Sequence, residues 1–405
     1  MKVLFAVPYI YDKRYKEFTK NSTGFGILMA QIYEYVANNS EAHLTSYVLT
    51  KGHGNILPHS LWSVIRHMRW KDLLQGIRWA FKYKQGISGR LRYLYYCINK
   101  GYVRHIMQQL HPDVVHINAV TMSSKPFIEI CEELNIKYVI TLHGLIGLKD
   151  SGRSPKWDKK REKEVLLDCE KRNIPVTVIS TGIKDRIEKH YLGAPSRCIT
   201  VVPNGTNVEP ATGSAGTNLR KTYHIPDNAM IAVSVGTVNK NKNQIQIVEA
   251  MPSVRKKSTK DLYLFLCGRD CTDGAVQKRI NELGLADRVF VLGFVPYEHM
   301  GNMYAQADFN ILASIDEGFG LGIVEAFVYG LPSVTFADLD AVPDLYEESA
   351  MLLCQNRSTE ALADAIARTM DKDWDKNKII THSKKFSLEQ MAENYLQVFE
   401  KALGL

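Results

Sequence analysis

Two glutamates separated by seven residues, Glu317 and Glu325, bracket the run Gly318-Phe319-Gly320-Leu321-Gly322-Ile323-Val324. Carboxylates accept hydrogen bonds from sugar hydroxyls. Glycines let the backbone come close to a ligand, and the start of a helix offers unpaired N–H groups to anionic phosphate oxygens. The apolar segment Ala307–Ala313 before this run reads as a buried strand. The segment Val324–Tyr329 after it reads as a short helix stopped by Gly330-Leu331-Pro332, with a further strand at Ser333–Phe336. Glu325 is therefore expected in the first turn or so of that helix. Read by itself, the run is equally a tight turn with a capping carboxylate.

The full pattern of acid, glycine-aromatic-glycine, second acid and Gly-Leu-Pro resembles the E-x7-E signature of retaining GT-B glycosyltransferases of family 4. The resemblance continues along much of the chain. Gly24 and Gly26, after the first strand and at the start of a helix (Ile27–Val36), are similar to the family's glycine loop near the donor phosphates and the acceptor. His143, followed by Gly144 at the end of the strand Tyr138–Leu142, stands where family members place a histidine that hydrogen-bonds the transferred sugar. An imidazole both donates and accepts, which suits that task. Pro203-Asn204-Gly205 is similar to the family's hinge turn. Gly236-Thr237-Val238-Asn239-Lys240-Asn241-Lys242 resembles the loop whose arginine and lysine grip the diphosphate. Lys242 occupies the lysine position, but Thr237 stands where arginine is expected, so either Lys240, Arg269 or a helix N-terminus compensates, or activity is reduced. Gly293-Phe294-Val295-Pro296 resembles the loop that meets the nucleobase.

The resemblance implies transfer of a sugar from a nucleoside-diphosphate donor to an acceptor hydroxyl with retained anomeric configuration. Glu317, His143 and Lys242 would be the catalytic group. Donor binding would fall to Gly24, Gly26, Gly236, Thr237, Lys242, Phe294, Glu317, Gly318, Phe319, Gly320, Leu321, Gly322 and Glu325. Glu317 would orient the donor sugar and Glu325 would hold the ribose hydroxyls. No metal or other cofactor is expected. Asp338-Leu339-Asp340 has the spacing of a D-x-D motif, but it follows the strand Ser333–Phe336, away from the expected diphosphate site.

These residues need strand ends to carry them. At 405 residues the chain exceeds one ordinary core. Strand-like runs alternate with amphipathic stretches, which argues for parallel sheets of βαβ units. Val3–Val7, Val114–Ile117, Tyr138–Leu142, Val176–Ile179 and Ile199–Val202 serve a first half. Ile231–Val235, Leu262–Cys267, Val289–Leu292, Phe309–Leu312 and Ser333–Phe336 serve a second. The expectation is an α/β GT-B fold, with two Rossmann-like domains facing across a cleft. Residues 1–205 would bind acceptor and 206–385 the nucleotide sugar, with Glu209–Gly216 as linker. By the resemblance, a terminal helix (386–405) crosses back to the first domain.

The composition is that of a soluble protein, with 45% hydrophobic and 23% charged residues. The N-terminus reads as a strand rather than a signal peptide, and no apolar run reaches the length of a membrane span. Seven cysteines without paired spacing fit a reducing cytosol, and Cys267 and Cys271 do not form a zinc pattern. The net charge of +8 is concentrated: residues 51–106 hold eleven Lys and Arg against Asp72, while the rest of the chain is about −2. Trp62, Trp70 and Trp79 lie in the same stretch. Cations interleaved with aromatics suit an anionic membrane surface; the plain alternative is a solvated face over core aromatics. No nucleic-acid motif accompanies the charge. The partners expected are a nucleotide-sugar donor, a glycan or polyprenyl-linked acceptor and the inner face of the cytoplasmic membrane, with bacterial surface polysaccharide as the setting. Thr237 leaves a second reading open, a non-catalytic GT-B subunit that binds a glycan or a partner enzyme.

Overall fold

In the computed structural model, every residue is described except 8–9, 12–23, 49–60, 83–86, 122–123, 149–155 and 211–216. Ser22 and Thr23 of the first glycine loop, most of the expected linker, and Lys51, Tyr83 and Lys84 of the basic stretch lie outside the described residues.

The chain divides into two compact units, Met1–Pro203 with Leu388–Leu405, and Asn204–Ser387. The first crossing falls within Pro203-Asn204-Gly205. The first unit runs β1 (Lys2–Val7), α1 (Gly24–Asn39), β2 (His43–Val48), α2 (Leu61–Arg66), α3 (Trp70–Lys82), α4 (Ile87–Leu110), β3 (Val114–Asn118), α5 (Lys125–Leu134), β4 (Lys137–Leu142), α6 (Lys156–Arg172), β5 (Val176–Val178), α7 (Thr181–Ile187) and β6 (Ile199–Val201). The second runs α8 (Leu219–Thr222), β7 (Met230–Val235), α9 (Gln244–Lys257), β8 (Leu262–Cys267), α10 (Ala275–Glu282), β9 (Val289–Gly293), α11 (Tyr297–Ala305), β10 (Phe309–Leu312), α12 (Leu321–Val328), β11 (Ser333–Phe336), α13 (Val342–Leu345), β12 (Met351–Cys354), α14 (Thr359–Asp371) and α15 (Lys376–Ser383). The chain then returns to the first unit as α16 (Leu388–Leu403).

All ten strands read from the sequence form within one residue of their expected ends. Except in β6 and β9, which lie at the sheet edges, their apolar runs are buried along most of their length, as a parallel sheet covered by helices on both faces requires. Two further strands, β2 and β12, are outermost in their sheets. The first of them, His-Leu-Thr-Ser-Tyr-Val, has no continuous apolar run; the second, Met-Leu-Leu-Cys, is apolar but only four residues long. The order β2-β1-β3-β4-β5-β6 in the first unit is flavodoxin-like; β12-β11-β10-β7-β8-β9 in the second is the Rossmann order. In such sheets ligands bind beyond the carboxyl ends of the strands where the strand order reverses. That point lies between β1 and β3 in one unit and between β7 and β10 in the other.

The α16 helix packs on α1, β3 and β4. Met391, Tyr395, Val398 and Phe399 form its buried stripe at helical spacing. His116 of β3 is buried against it, with its ring 5.0 Å from Tyr395 and 5.1 Å from Phe399. The seven cysteines are unbridged.

Candidate functional site

Within the second unit, two loops leave the adjacent strands β7 and β10 at the reversal point. The first, Gly236–Asn243, is held by Gln244, which is 1% exposed and donates to the carbonyls of Gly236 and Thr237 at 3.3 Å. Its turn is closed by Asn239, whose Oδ1 accepts from the Lys242 amide at 2.9 Å. Close packing finishes it: a Cβ on Gly268 would lie 2.0 Å from the Gly236 carbonyl oxygen, so only glycine fits there. The second loop, Ser314–Gly320, leads into α12. Gly320 is the N-cap at φ +84, a left-handed conformation that favours glycine.

The Lys242 ammonium makes a short ion pair with Glu317 Oε2, and Ser314 Oγ donates to the same oxygen at 3.2 Å. Seventy-five residues apart in sequence, the expected cation and acid of the site are in contact. Glu325 lies at the start of the second turn of α12, because the helix begins at Leu321 rather than at Val324. Tyr304 of α11 donates to its Oε2 at 2.9 Å. Burial pushes the Glu325 carboxyl up to about 7, partly offset by the Tyr304 hydrogen bond and the Lys242 charge. Glu325 keeps an edge on a pocket shared with Asn207, Tyr297, Tyr304, Val328 and Tyr329.

Other expected donor residues divide by environment. Phe294 is 54% exposed and Thr237 is exposed. The Phe319 side chain is a core element, 2% exposed and edge-on to Phe386, so any ligand contact at that position must come from its backbone. Arg269 is exposed, and its carbonyl accepts from the Val238 amide at 2.9 Å, which sets it beside Thr237. Asp338 of the D-x-D spacing is engaged by Arg357 Nε at 2.8 Å.

Sequence reading passed over Arg357 and Tyr304. Arg357 donates to the carbonyls of Ser314 at 2.8 Å and Ile315 at 3.0 Å, and its guanidinium lies over Phe336. The loop is tied on its other side to Asn241, which accepts from the Ile315 amide at 2.7 Å and donates to the Asp316 carbonyl at 2.9 Å. No local signal identifies either residue: each meets its partner through the sheet.

In the first unit His143 sits at the carboxyl end of β4. Its Nε2 lies 3.1 Å from Asn118 Oδ1 at the end of β3, and its ring is edge-on to Phe25 at 5.0 Å. Burial pulls its pKa down to about 3, so it is neutral at physiological pH. With Nε2–H donating to Asn118, Nδ1 presents its lone pair. That nitrogen has no partner among the described residues. Phe25 links His143 to the glycine pair, which lies inside the first turn of α1; the helix starts at Gly24, not at Ile27.

Two sequence profiles match, "Glycosyl transferases group 1" over residues 216–386 and "Glycosyltransferase Family 4" over 58–210. The chain belongs to the family 4 glycosyltransferases. Its similarity to a putative teichuronic acid biosynthesis glycosyltransferase of Bacillus subtilis is 25% identity over 64% of this chain and 62% of that one. With a GDP-mannose:cellobiosyl-diphosphopolyprenol alpha-mannosyltransferase of Xanthomonas oryzae it shares 28% identity over 56% of this chain and 59% of the other. The matches thus span about three fifths of these relatives. A crystal structure of a glycosyltransferase from Rickettsia africae superimposes with a TM-score of 0.70 at 18% identity, over 99% of this family 4 chain and 98% of the other. That likeness, with the two parallel six-stranded sheets, establishes the GT-B fold.

Proposed function

We propose that this protein transfers a sugar, with retention of anomeric configuration, from a nucleoside-diphosphate sugar to a hydroxyl of a glycan or polyprenyl-linked acceptor. The observation that carries this is the meeting of Lys242, Glu317 and the N-terminus of α12 at the strand-order reversal of the second unit, with Glu325 one turn further on. Lys242 and the amides of Gly320–Gly322 face the charge that grows on a departing diphosphate, and preorganised donors of this kind supply much of a catalyst's effect. Arg269 takes the place of the arginine missing at Thr237. Glu317 orients the donor sugar, and Glu325 accepts from the ribose diol. The anomeric C–O bond to phosphate breaks, the acceptor oxygen bonds the same face, and the leaving phosphate takes the acceptor proton. On this reading the reaction needs no resident metal, because the lysine and amides carry the charge. His143, neutral and with Nδ1 able to accept, holds a sugar hydroxyl.

The relatives' teichuronic acid and diphosphopolyprenol chemistry supports a role in surface polysaccharide assembly at the inner face of the cytoplasmic membrane. Among the described residues no helix is long and apolar enough to cross a membrane. The basic, aromatic stretch 51–106 supports contact with an anionic membrane surface. Thr237 favours one other reading, a non-catalytic subunit.

Thermal unfolding against UDP-, GDP- and ADP-sugars, with Glu325→Ala in parallel, tests the proposal. A donor at 100 times its dissociation constant adds about 2.7 kcal/mol. The expected result is a shift with one donor class that the variant loses. No shift with any donor would bring the non-catalytic reading forward.

A further inference from the structure

The surface of α3 carries a stripe that the fold leaves bare. Trp70, Leu74, Ile77 and Phe81 are 75%, 55%, 40% and 75% exposed. Their spacing of four, three and four residues places them within about 60° of the helix circumference. Lys71 and Arg78, both exposed, flank the stripe on one side. Trp62 of α2 (81% exposed) and Ile87 of α4 (79% exposed) are bare as well.

The opposite face of α3 is locked down. A Cβ on Gly76 would come within 3.0 Å of Leu94 and Cys97 of α4, so the two helices pack at close range. Asp72 is buried and pairs with Lys100 at 3.3 Å and Arg104 at 3.5 Å; these two also bind Glu129 at 2.7 Å and Glu133 at 2.6 Å on α5. Trp79 lies under the Lys125 ammonium. Two cations of the basic stretch are thus spent inside the protein, and Arg69 is drawn to Glu133. Among the described residues the exposed cations that remain are Arg66, Lys71, Arg78 and Arg90, and two of them, Lys71 and Arg78, border the apolar face.

We infer that α3 is an interfacial helix, lying in the plane of an anionic bilayer with Trp70, Leu74, Ile77 and Phe81 inserted below the headgroups. This rests on, and deepens, the membrane-surface contact proposed above: the attraction is not charge alone. The occupant is assigned to lipid because the flanking charge is uniformly positive, which matches anionic headgroups and opposes a second copy of the same face.

The test is co-sedimentation of the full-length protein with phosphatidylglycerol–phosphatidylcholine vesicles at low and high salt, beside Trp70→Ser/Phe81→Ser. Both side chains are exposed, so the variant should keep its thermal midpoint and its donor-induced shift. The expected result is wild-type binding that persists in part at high salt and falls about tenfold or more in the variant. Binding that is fully salt-released and unchanged in the variant would overturn insertion while leaving the electrostatic contact standing. Absence of wild-type binding would remove both. Wild-type self-association lost in the variant, without vesicle binding, would reassign the face to a second copy and overturn the inference.

Discussion

At the scale of single residues, the site's chemistry depends on how burial sets charge. Glu325 ordinarily ionises near 4.5 but is pushed up to about 7 in the folded protein. Between those values the folded state keeps a proton that the unfolded chain has released. The stabilisation from this group is therefore complete below 4.5 and is lost as pH rises through 7. Ribose hydroxyls donate best to the ionised carboxylate, so donor affinity should rise as pH passes 7. Glu325→Gln should bind donor weakly and without that pH step, and should gain thermal stability relative to wild type at pH 8. Calorimetric titration and melting curves from pH 5.5 to 8.5 would check both; a wild-type affinity flat across pH 7 would contradict the assignment.

Elements, not residues, determine whether Glu317 is in place. The Ser314–Glu317 loop has no secondary structure of its own, and Arg357, just past β12, clamps two of its carbonyls while Asp338 orients the guanidinium. Because a misplacement of about 1 Å at a catalytic group can cost roughly 100-fold, Arg357→Ala should lower kcat about 10- to 100-fold with donor KM within about threefold. Lysine cannot reproduce the planar fork, so Arg357→Lys should recover little. Combined with Glu317→Gln the losses should fail to add, since both act through one group; fully additive losses would show that Arg357 acts elsewhere. The spacing of Asp338 and Asp340 had the form of a metal motif in the sequence, and the fold uses Asp338 to hold this arginine.

For the whole molecule, the notable feature is a chain that leaves its first unit at Pro203 and returns to it at Leu388. Stability of the first unit therefore depends on the last residues of the chain. Phe399 is 2% exposed and lies beside His116 and Tyr395. Phe399→Ala should cost about 3–5 kcal/mol, seen by calorimetry as a lowered transition, while the donor-induced shift of the second unit is kept. A loss of that shift at temperatures where the variant is folded would mean the helix serves the site directly.

Much of this protein is determined by its sequence locally. Strand, glycine turn and helix around Glu317 and Glu325 are legible because apolar period and Gly/Pro punctuation act over a few residues. The fold class and the candidate acids, cation and histidine follow from the same motifs. Other features were settled only when the sheets assembled. The order β12-β11-β10-β7-β8-β9 brought Lys242 to Glu317, Tyr304 to Glu325 across 21 residues, and Arg357 to Ser314 across 43. Packing also separated the basic stretch into buried, paired cations and an exposed apolar stripe, a division that composition cannot make. The reason is physical: hydrogen bonding and desolvation depend on distances of a few ångströms, and in a parallel sheet those are set by strand order rather than by spacing along the chain.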